Sequence, residues 1–201
     1  ELLEADVYCG HAKVPVPWDD VVRRGRLQWI QSSAAGTDHC LVTPVVASPI
    51  PVTSASGVLA NQVADHTLAM VLSLLRALPT FARAQFAREF IRSPTRDLHG
   101  ARIGIVGLGG NGRRLAELFA AFNTTILATD WYPTRKPDHV AELLPADGLP
   151  DILPRVDVLV VTAPLNHLTR GMINAEVLNR LPSDALLINV ARGPLVVEVE
   201  L

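Results

Sequence analysis

The chain has 201 residues, nearly half of them hydrophobic, and a formal net charge of −2. That length allows one large domain or two small ones, and the near-neutral balance gives no general attraction to nucleic acid or to a membrane surface. No apolar run approaches the roughly 18 residues of a membrane span, no basic n-region leads into an apolar h-region, and Cys9 and Cys40 show neither ligand spacing nor a disulfide framework.

Two small apolar thiols suit a reducing compartment, so the expected location is cytoplasmic. The chain opens on Glu1 rather than Met and stops mid-pattern at Glu198-Val199-Glu200-Leu201, which reads as cut at both ends.

Taken in order, residues 5–9 suggest a strand, 18–24 a short helix with Asp19 and Asp20 in its first turn, and 27–32 another strand. Ser33-Ala34-Ala35-Gly36 is a small-residue loop, followed by a helix around residues 40–47 and a strand over 50–53. This βα rhythm implies a small parallel sheet of its own. The longest helix candidate spans residues 61–78, with Val63, Leu68, Val71, Leu72 and Leu75 on its apolar face, Asn61 as a candidate cap and Pro79 after its end. A polar, basic segment follows over residues 83–96. The expected division is residues 1–59 and 60–201, with the long helix as the link.

The organising stretch is the apolar run 103–106, ending in Gly107-x-Gly109-x-x-Gly112 and passing at once into a helical pattern with Leu115, Leu118, Phe119 and Phe122. Glycine serves such a turn in three ways: the tight bend, the approach of backbone to a pyrophosphate, and the packing of helix on strand. The helix N-terminus adds free N–H groups and a partial positive charge. Gly-x-Gly-x-x-Gly alone is weak, but here a strand precedes it, a helix follows it, and Asp130 ends the next apolar run 18 residues after Gly112. An acid there accepts bonds from an adenosine ribose. The pattern reads as a dinucleotide site, with NAD preferred because Asp130 would repel the extra phosphate of NADP. Arg135 and Lys136 are the basic residues to check against that preference; a solvated loop pair is their alternative role.

Residues 149–153 suggest a short helix, 158–161 a buried strand ending at Thr162-Ala163-Pro164, 174–181 a helix, and 185–190 a buried strand ending at Ala191-Arg192-Gly193. Ligands of open α/β sheets lie beyond the carboxyl ends of the strands, where Gly107, Asp130, Thr162 and Arg192 all fall. The planar fork of Arg192 can grip a carboxylate and polarise the adjacent carbonyl; an ordinary surface ion pair is the competing role. The 33–36 loop offers backbone N–H groups to the same carboxylate, or is a tight turn and nothing more. None of the six histidines has a paired carboxylate at a strand end of the cofactor region, and no zinc spacing or Gly-x-Ser-x-Gly nucleophile motif is present.

Over nearly its whole length the sequence resembles the D-isomer-specific 2-hydroxyacid dehydrogenase family. The resemblance is carried by Ser32-Ser33-Ala34-Ala35-Gly36-Thr37-Asp38, Gln62-Val63-Ala64-Asp65-His66-Thr67-Leu68-Ala69, the stretch from Leu98 to Gly109, Ala163-Pro164-Leu165 with Thr169-Arg170-Gly171-Met172-Ile173-Asn174, and Ile188-Asn189-Val190-Ala191-Arg192-Gly193. It implies a Rossmann-type doubly wound α/β domain joined to a partial flavodoxin-like substrate domain. It also implies an NAD-dependent oxidoreductase of small D-2-hydroxy or 2-keto acids (glyoxylate, hydroxypyruvate or longer) and a homodimer formed through the nucleotide domain. Residue by residue, Gly110 and Asn111 would sit at the pyrophosphate, beside the motif glycines Gly107, Gly109 and Gly112, and Asp130 at the adenosine ribose. Thr162, Ala163, Pro164 and Thr169 would line the cleft, with Val190 and Ala191 towards the nicotinamide. Arg192 would be the catalytic arginine, and Ala35 and Gly36 would bind the substrate carboxylate.

The sequence departs from the family at several points. Gly110-Asn111 stands in place of the usual Arg-Ile, Thr162 in place of a frequent His, Val197 in place of a common Asp, and Asp65 in place of Glu. The family's catalytic Glu and His lie on segments outside this sequence, so the chain alone is not expected to run the full reaction. Two other readings stand beside this one: a cofactor-sensing binding protein like the family's corepressor branch, and a fragment of a decayed gene that would fold poorly.

Overall fold

The computed structural model describes residues 2–11 and 15–201; Glu1, one of the two observations behind the expectation of a cut chain, lies outside them. The chain forms two compact units, Glu1–Leu59 and Ala60–Leu201.

In the first unit, β1 (Val7–Gly10), α1 (Trp18–Arg24), β2 (Trp29–Ser32), α2 (Thr43–Val46) and β3 (Val52–Ser54) alternate. The strands form one parallel sheet in the order β1-β2-β3. Acids open α1 and arginines close it, matching the helix dipole. The apolar residues Trp18, Val21, Leu27, Ile30, Cys40 and Val45 make its core, and Tyr8 meets Trp18 edge to face at 5.3 Å. Cys9 is exposed and Cys40 buried.

The second unit opens with α3 (Ala60–Leu75) and α4 (Leu78–Ala87), bent by 65° at their junction. This corrects the single helix expected over residues 61–78. Pro79 has no N–H for the Leu75 carbonyl, and its ring would strike it. The helix therefore breaks, Ala77 turns through φ 52°, and the freed Leu75 carbonyl accepts a bond from Arg96 N–H at 2.8 Å. Pro79 then falls in the first turn of a new helix, where proline is tolerated. Part of the segment expected as merely polar and basic is thus helical. Asn61 lies inside α3 rather than capping it.

Next come β4 (Arg102–Val106), α5 (Gly110–Ala120), β5 (Thr125–Asp130), β6 (Glu142–Pro145), α6 (Leu149–Ile152), β7 (Val158–Val161), α7 (Ala175–Leu178) and β8 (Leu186–Asn189). The strands make a parallel five-stranded sheet in the order β6-β5-β4-β7-β8. Apolar clusters cover both faces, as a doubly wound sheet requires. On one, Val71 and Leu75 of α3 and Leu115 and Phe119 of α5 pack on Ile103, Ile105, Ile126, Val158 and Val160. On the other, Leu149, Ile152, Leu153, Ile173 and Leu195 pack on Val106, Leu127, Leu159 and Val161. Each fully buried side chain of this size stabilises by about 1.5–3 kcal/mol. The architecture is the expected Rossmann-type α/β fold. Strand β6 was not expected from the sequence: it is four residues long, ends in Pro145 and lies at a sheet edge, where a strand proline is tolerated.

The amino ends of β4 and β7 are fastened by charge. Asp157 accepts from Arg102 N–H at 2.7 Å and from the guanidinium at 2.6 and 3.1 Å, while Arg96 pairs with Asp184 at 3.0 Å. The bonds from Arg102 hold the Asp157 carboxyl below its ordinary value of 3.8. A depressed carboxylate contributes stability above that ordinary value and loses it as pH falls through the depressed one. Asp157→Asn is therefore expected to destabilise the chain at pH 7 by about 1 kcal/mol, a modest figure because solvent screens the half-exposed pair. Urea titrations of both proteins should show the gap at pH 7 and its closure below about pH 4.

Candidate cofactor site

Because every strand of the larger sheet is parallel, the carboxyl ends of β4, β5, β7 and β8 share one edge. Register pairs Val106 with Thr129 and Val161, and Val161 with Asn189. Backbone bonds carry the rows one step further: Gly107 N–H to Thr129 O at 2.8 Å, Thr162 N–H to Val106 O at 2.9 Å, and Val190 N–H to Val161 O at 3.2 Å. Gly107, Asp130, Thr162, Val190, Ala191 and Arg192 thus fall along one rim.

The glycine turn bridges β4 and α5. Gly107 adopts φ 95°, and a Cβ there would press on the Ala163 backbone at 2.8–2.9 Å. At Gly112 a Cβ would collide with the Gly107 carbonyl oxygen, so helix and strand meet backbone to backbone. Gly109 is different: nothing lies within 4 Å of where its Cβ would be. This open space sits beside the first turn of α5, where the N–H groups of Gly110 and Asn111 have no protein partner among the described residues. Unpaired donors, a helix N-terminus and an unfilled approach fit the pyrophosphate of a dinucleotide.

Asp130, at the end of β5, accepts from Leu108 N–H through Oδ2 at 2.6 Å and from Tyr132 N–H through Oδ1 at 2.8 Å. Each carboxylate oxygen keeps a lone pair for ribose hydroxyls. Of the two basic residues after it, Lys136 donates to Val140 O at 2.6 Å, and the Arg135 carbonyl accepts from Arg113 at 2.9 Å. Thr162 gives its hydroxyl proton to the Gly107 carbonyl, with oxygens 2.5 Å apart. Ala163 is buried beneath the turn and Pro164 exposed at the rim. Thr169 closes the loop after β7 by donating to Pro164 O at 2.6 Å and accepting from Asn166 N–H at 2.9 Å.

Asn189 shapes the turn that carries Arg192: its side chain accepts from Ala191 N–H at 3.0 Å and donates to Arg192 O at 2.8 Å. The half-buried Arg192 guanidinium donates to Ala191 O at 2.9 Å. Ala35 and Gly36 lie in the first unit, on the loop after β2. The buried Ser32 hydroxyl organises that loop, lying 3.0 and 3.2 Å from the Ala34 and Gly36 carbonyls and accepting from Ala34 N–H at 3.1 Å. Sequence reasoning missed Ser32 and Asn189 as organisers. Their signal was a hydroxyl or amide side chain at the last position of a strand. Among the described residues none of His66, His99, His139 and His167 bonds a carboxylate; His99 faces Asn123.

This fold and rim define an α/β protein with a dinucleotide-binding domain. Residues 68–201 match the family described as D-isomer specific 2-hydroxyacid dehydrogenase, NAD binding domain. The chain belongs to that family of oxidoreductases. It is 31% identical over 200 residues to a glycerate dehydrogenase of Methylorubrum extorquens, covering 94% of this chain and 60% of the relative. With a D-3-phosphoglycerate dehydrogenase of Mycobacterium bovis it shares 29% over 202 residues, which is 38% of that protein. A crystal structure of a D-isomer specific 2-hydroxyacid dehydrogenase from Xanthobacter autotrophicus, in complex with NADPH and MES, superposes with TM-score 0.82 at 28% identity, covering 100% of this chain and 62% of that one. The chain therefore spans less than two thirds of the length of these proteins.

Two glycine substitutions separate folding from binding. Gly112→Ala forces helix from strand and is expected to cost about 2 kcal/mol or more of stability. Gly109→Ala meets no protein atom, changes stability by about 1 kcal/mol at most, and still weakens dinucleotide binding. Thermal melts and calorimetry on the two variants check this.

Proposed function

We propose that this chain is the nucleotide-binding part, with a portion of the substrate domain, of an NAD-dependent dehydrogenase that reduces a small 2-keto acid to its D-2-hydroxy acid. The observation that carries the reading is the glycine turn between β4 and α5, with the Asp130 carboxylate tied to its second residue at 2.6 Å. A bound nicotinamide cofactor supplies the hydride for the substrate C2. The N–H groups of Gly110 and Asn111 hold the pyrophosphate, and Asp130 accepts from the adenosine ribose. Arg192 grips the substrate carboxylate and polarises the carbonyl at C2. In the family this chain resembles, a Glu–His pair handles the proton at the carbonyl oxygen; among the described residues of the nucleotide unit no histidine has a carboxylate partner.

Asp130 also argues for NAD over NADP, because its charge would oppose a 2′-phosphate. Calorimetry should show NADH binding at least about tenfold more tightly than NADPH; equal or tighter NADPH binding overturns the preference. Protein from the natural source should oxidise NADH with glyoxylate or hydroxypyruvate, and Arg192→Lys should lower kcat/KM by about a hundredfold. Turnover by the 201-residue chain alone would show that the proton donor lies within it.

We further propose that the protein is a homodimer whose contact covers Phe86 of α4 and Phe90 beyond it. Both are more than nine-tenths exposed, an apolar area of the kind a second copy covers. Sedimentation should give a dimer for the natural protein and a monomer for the Phe86→Ser, Phe90→Ser variant.

A further inference from the structure

We propose that Thr162 and Asp130 are positioning residues that brace the glycine turn from the strands on either side, so that the turn is fully formed before any dinucleotide arrives. The proposal rests on the reading that this turn receives a pyrophosphate.

From β7, the Thr162 hydroxyl donates to the Gly107 carbonyl at 2.5 Å and also lies 3.2 Å from the Val106 carbonyl. That same Gly107 oxygen is the atom a side chain at position 112 would strike. From β5, Asp130 Oδ2 takes the Leu108 N–H at 2.6 Å, and the Thr129 carbonyl takes the Gly107 N–H at 2.8 Å. Both N–H groups at the start of the turn, and its first carbonyl, are therefore held by neighbouring strands. The donors of Gly110 and Asn111 are left over, beside the open space at Gly109.

The chemistry of a hydroxyl separates bracing from direct contact. It has one proton to donate, and Thr162 has given it to Gly107. Toward a ligand it can then only accept, and a pyrophosphate has nothing to donate. While the hydroxyl donates to the turn, an effect of Thr162 on phosphate binding passes through the turn. Valine has the same shape without the donor, and serine keeps the donor without the methyl group.

The experiment compares the wild-type chain with Thr162→Val, Thr162→Ser and Asp130→Ala. Without ligand, exchange of the two bonded amides of the turn, Gly107 and Leu108, should quicken by about tenfold or more in Thr162→Val and Asp130→Ala, as expected when a local opening equilibrium shifts. In Thr162→Ser it should stay within about twofold of wild type. By calorimetry, Thr162→Val should raise Kd for NADH and for ADP-ribose by the same factor, about five- to twentyfold, the size of one lost hydrogen bond to a buried carbonyl.

Unchanged exchange in Thr162→Val or Asp130→Ala overturns the brace. So does a loss of affinity confined to NADH, which would place Thr162 at the nicotinamide instead. If Thr162→Val does not fold, Asp130→Ala carries the exchange comparison from the opposite strand: faster exchange supports the brace and unchanged exchange overturns it. Failure of the wild-type chain to bind either ligand would sink the dinucleotide reading, while the exchange rates would still decide whether the turn is braced.

Discussion

The Gly107 carbonyl occupies the space that a side chain at position 112 would need, and much of the larger unit follows from that contact. It lets the first turn of α5 sit directly on the end of β4. Leu115, Ala116 and Phe119 then reach Ile103, Ile105 and Ile126 and bury completely. Once α5 is fixed against the sheet, the right-handed crossover to β5 brings Asp130 back to the same rim. The parallel register does the rest, bringing the carboxyl ends of β4, β5, β7 and β8 to within a residue of one another.

Much of this was legible in the sequence, for identifiable reasons. Buried parallel strands carry unbroken apolar runs, so β4, β5, β7 and β8 stood out, and α1 was bracketed by its acids and arginines. Elements whose logic is not periodic were harder to read. Strand β6 has four residues and a terminal proline, and its pairing with β5 depends on a fold already in place. The break between α3 and α4 was readable as a proline, but not as the start of a second helix, because the carbonyl it releases finds its partner at Arg96, about twenty residues away. At the candidate site, the glycines and Asp130 declared themselves by spacing. The bond from Thr162 to Gly107 could not, since it spans 55 positions.

The two units share a device. Ser32 ends β2 and holds the loop that follows it; Thr162 follows β7 and holds the glycine turn. In both places a short hydroxyl side chain, buried or half-buried, ties down backbone that no ladder supports. Asn189 does the equivalent work with an amide at the end of β8. A loop shaped by its own strand end can present backbone groups at fixed positions with few residues, which suits a rim where several loops must converge.

The arginine–aspartate pairs Arg102–Asp157 and Arg96–Asp184 lie at the amino ends of the strands, a full strand length from the rim. The sheet thus has an anchoring edge and a working edge, made from different residues. Substitutions in these pairs act on how the strand starts are fastened, at the end of the sheet away from the rim. Conversely, the working edge can acquire new loop sequences while the anchor holds the strands in register.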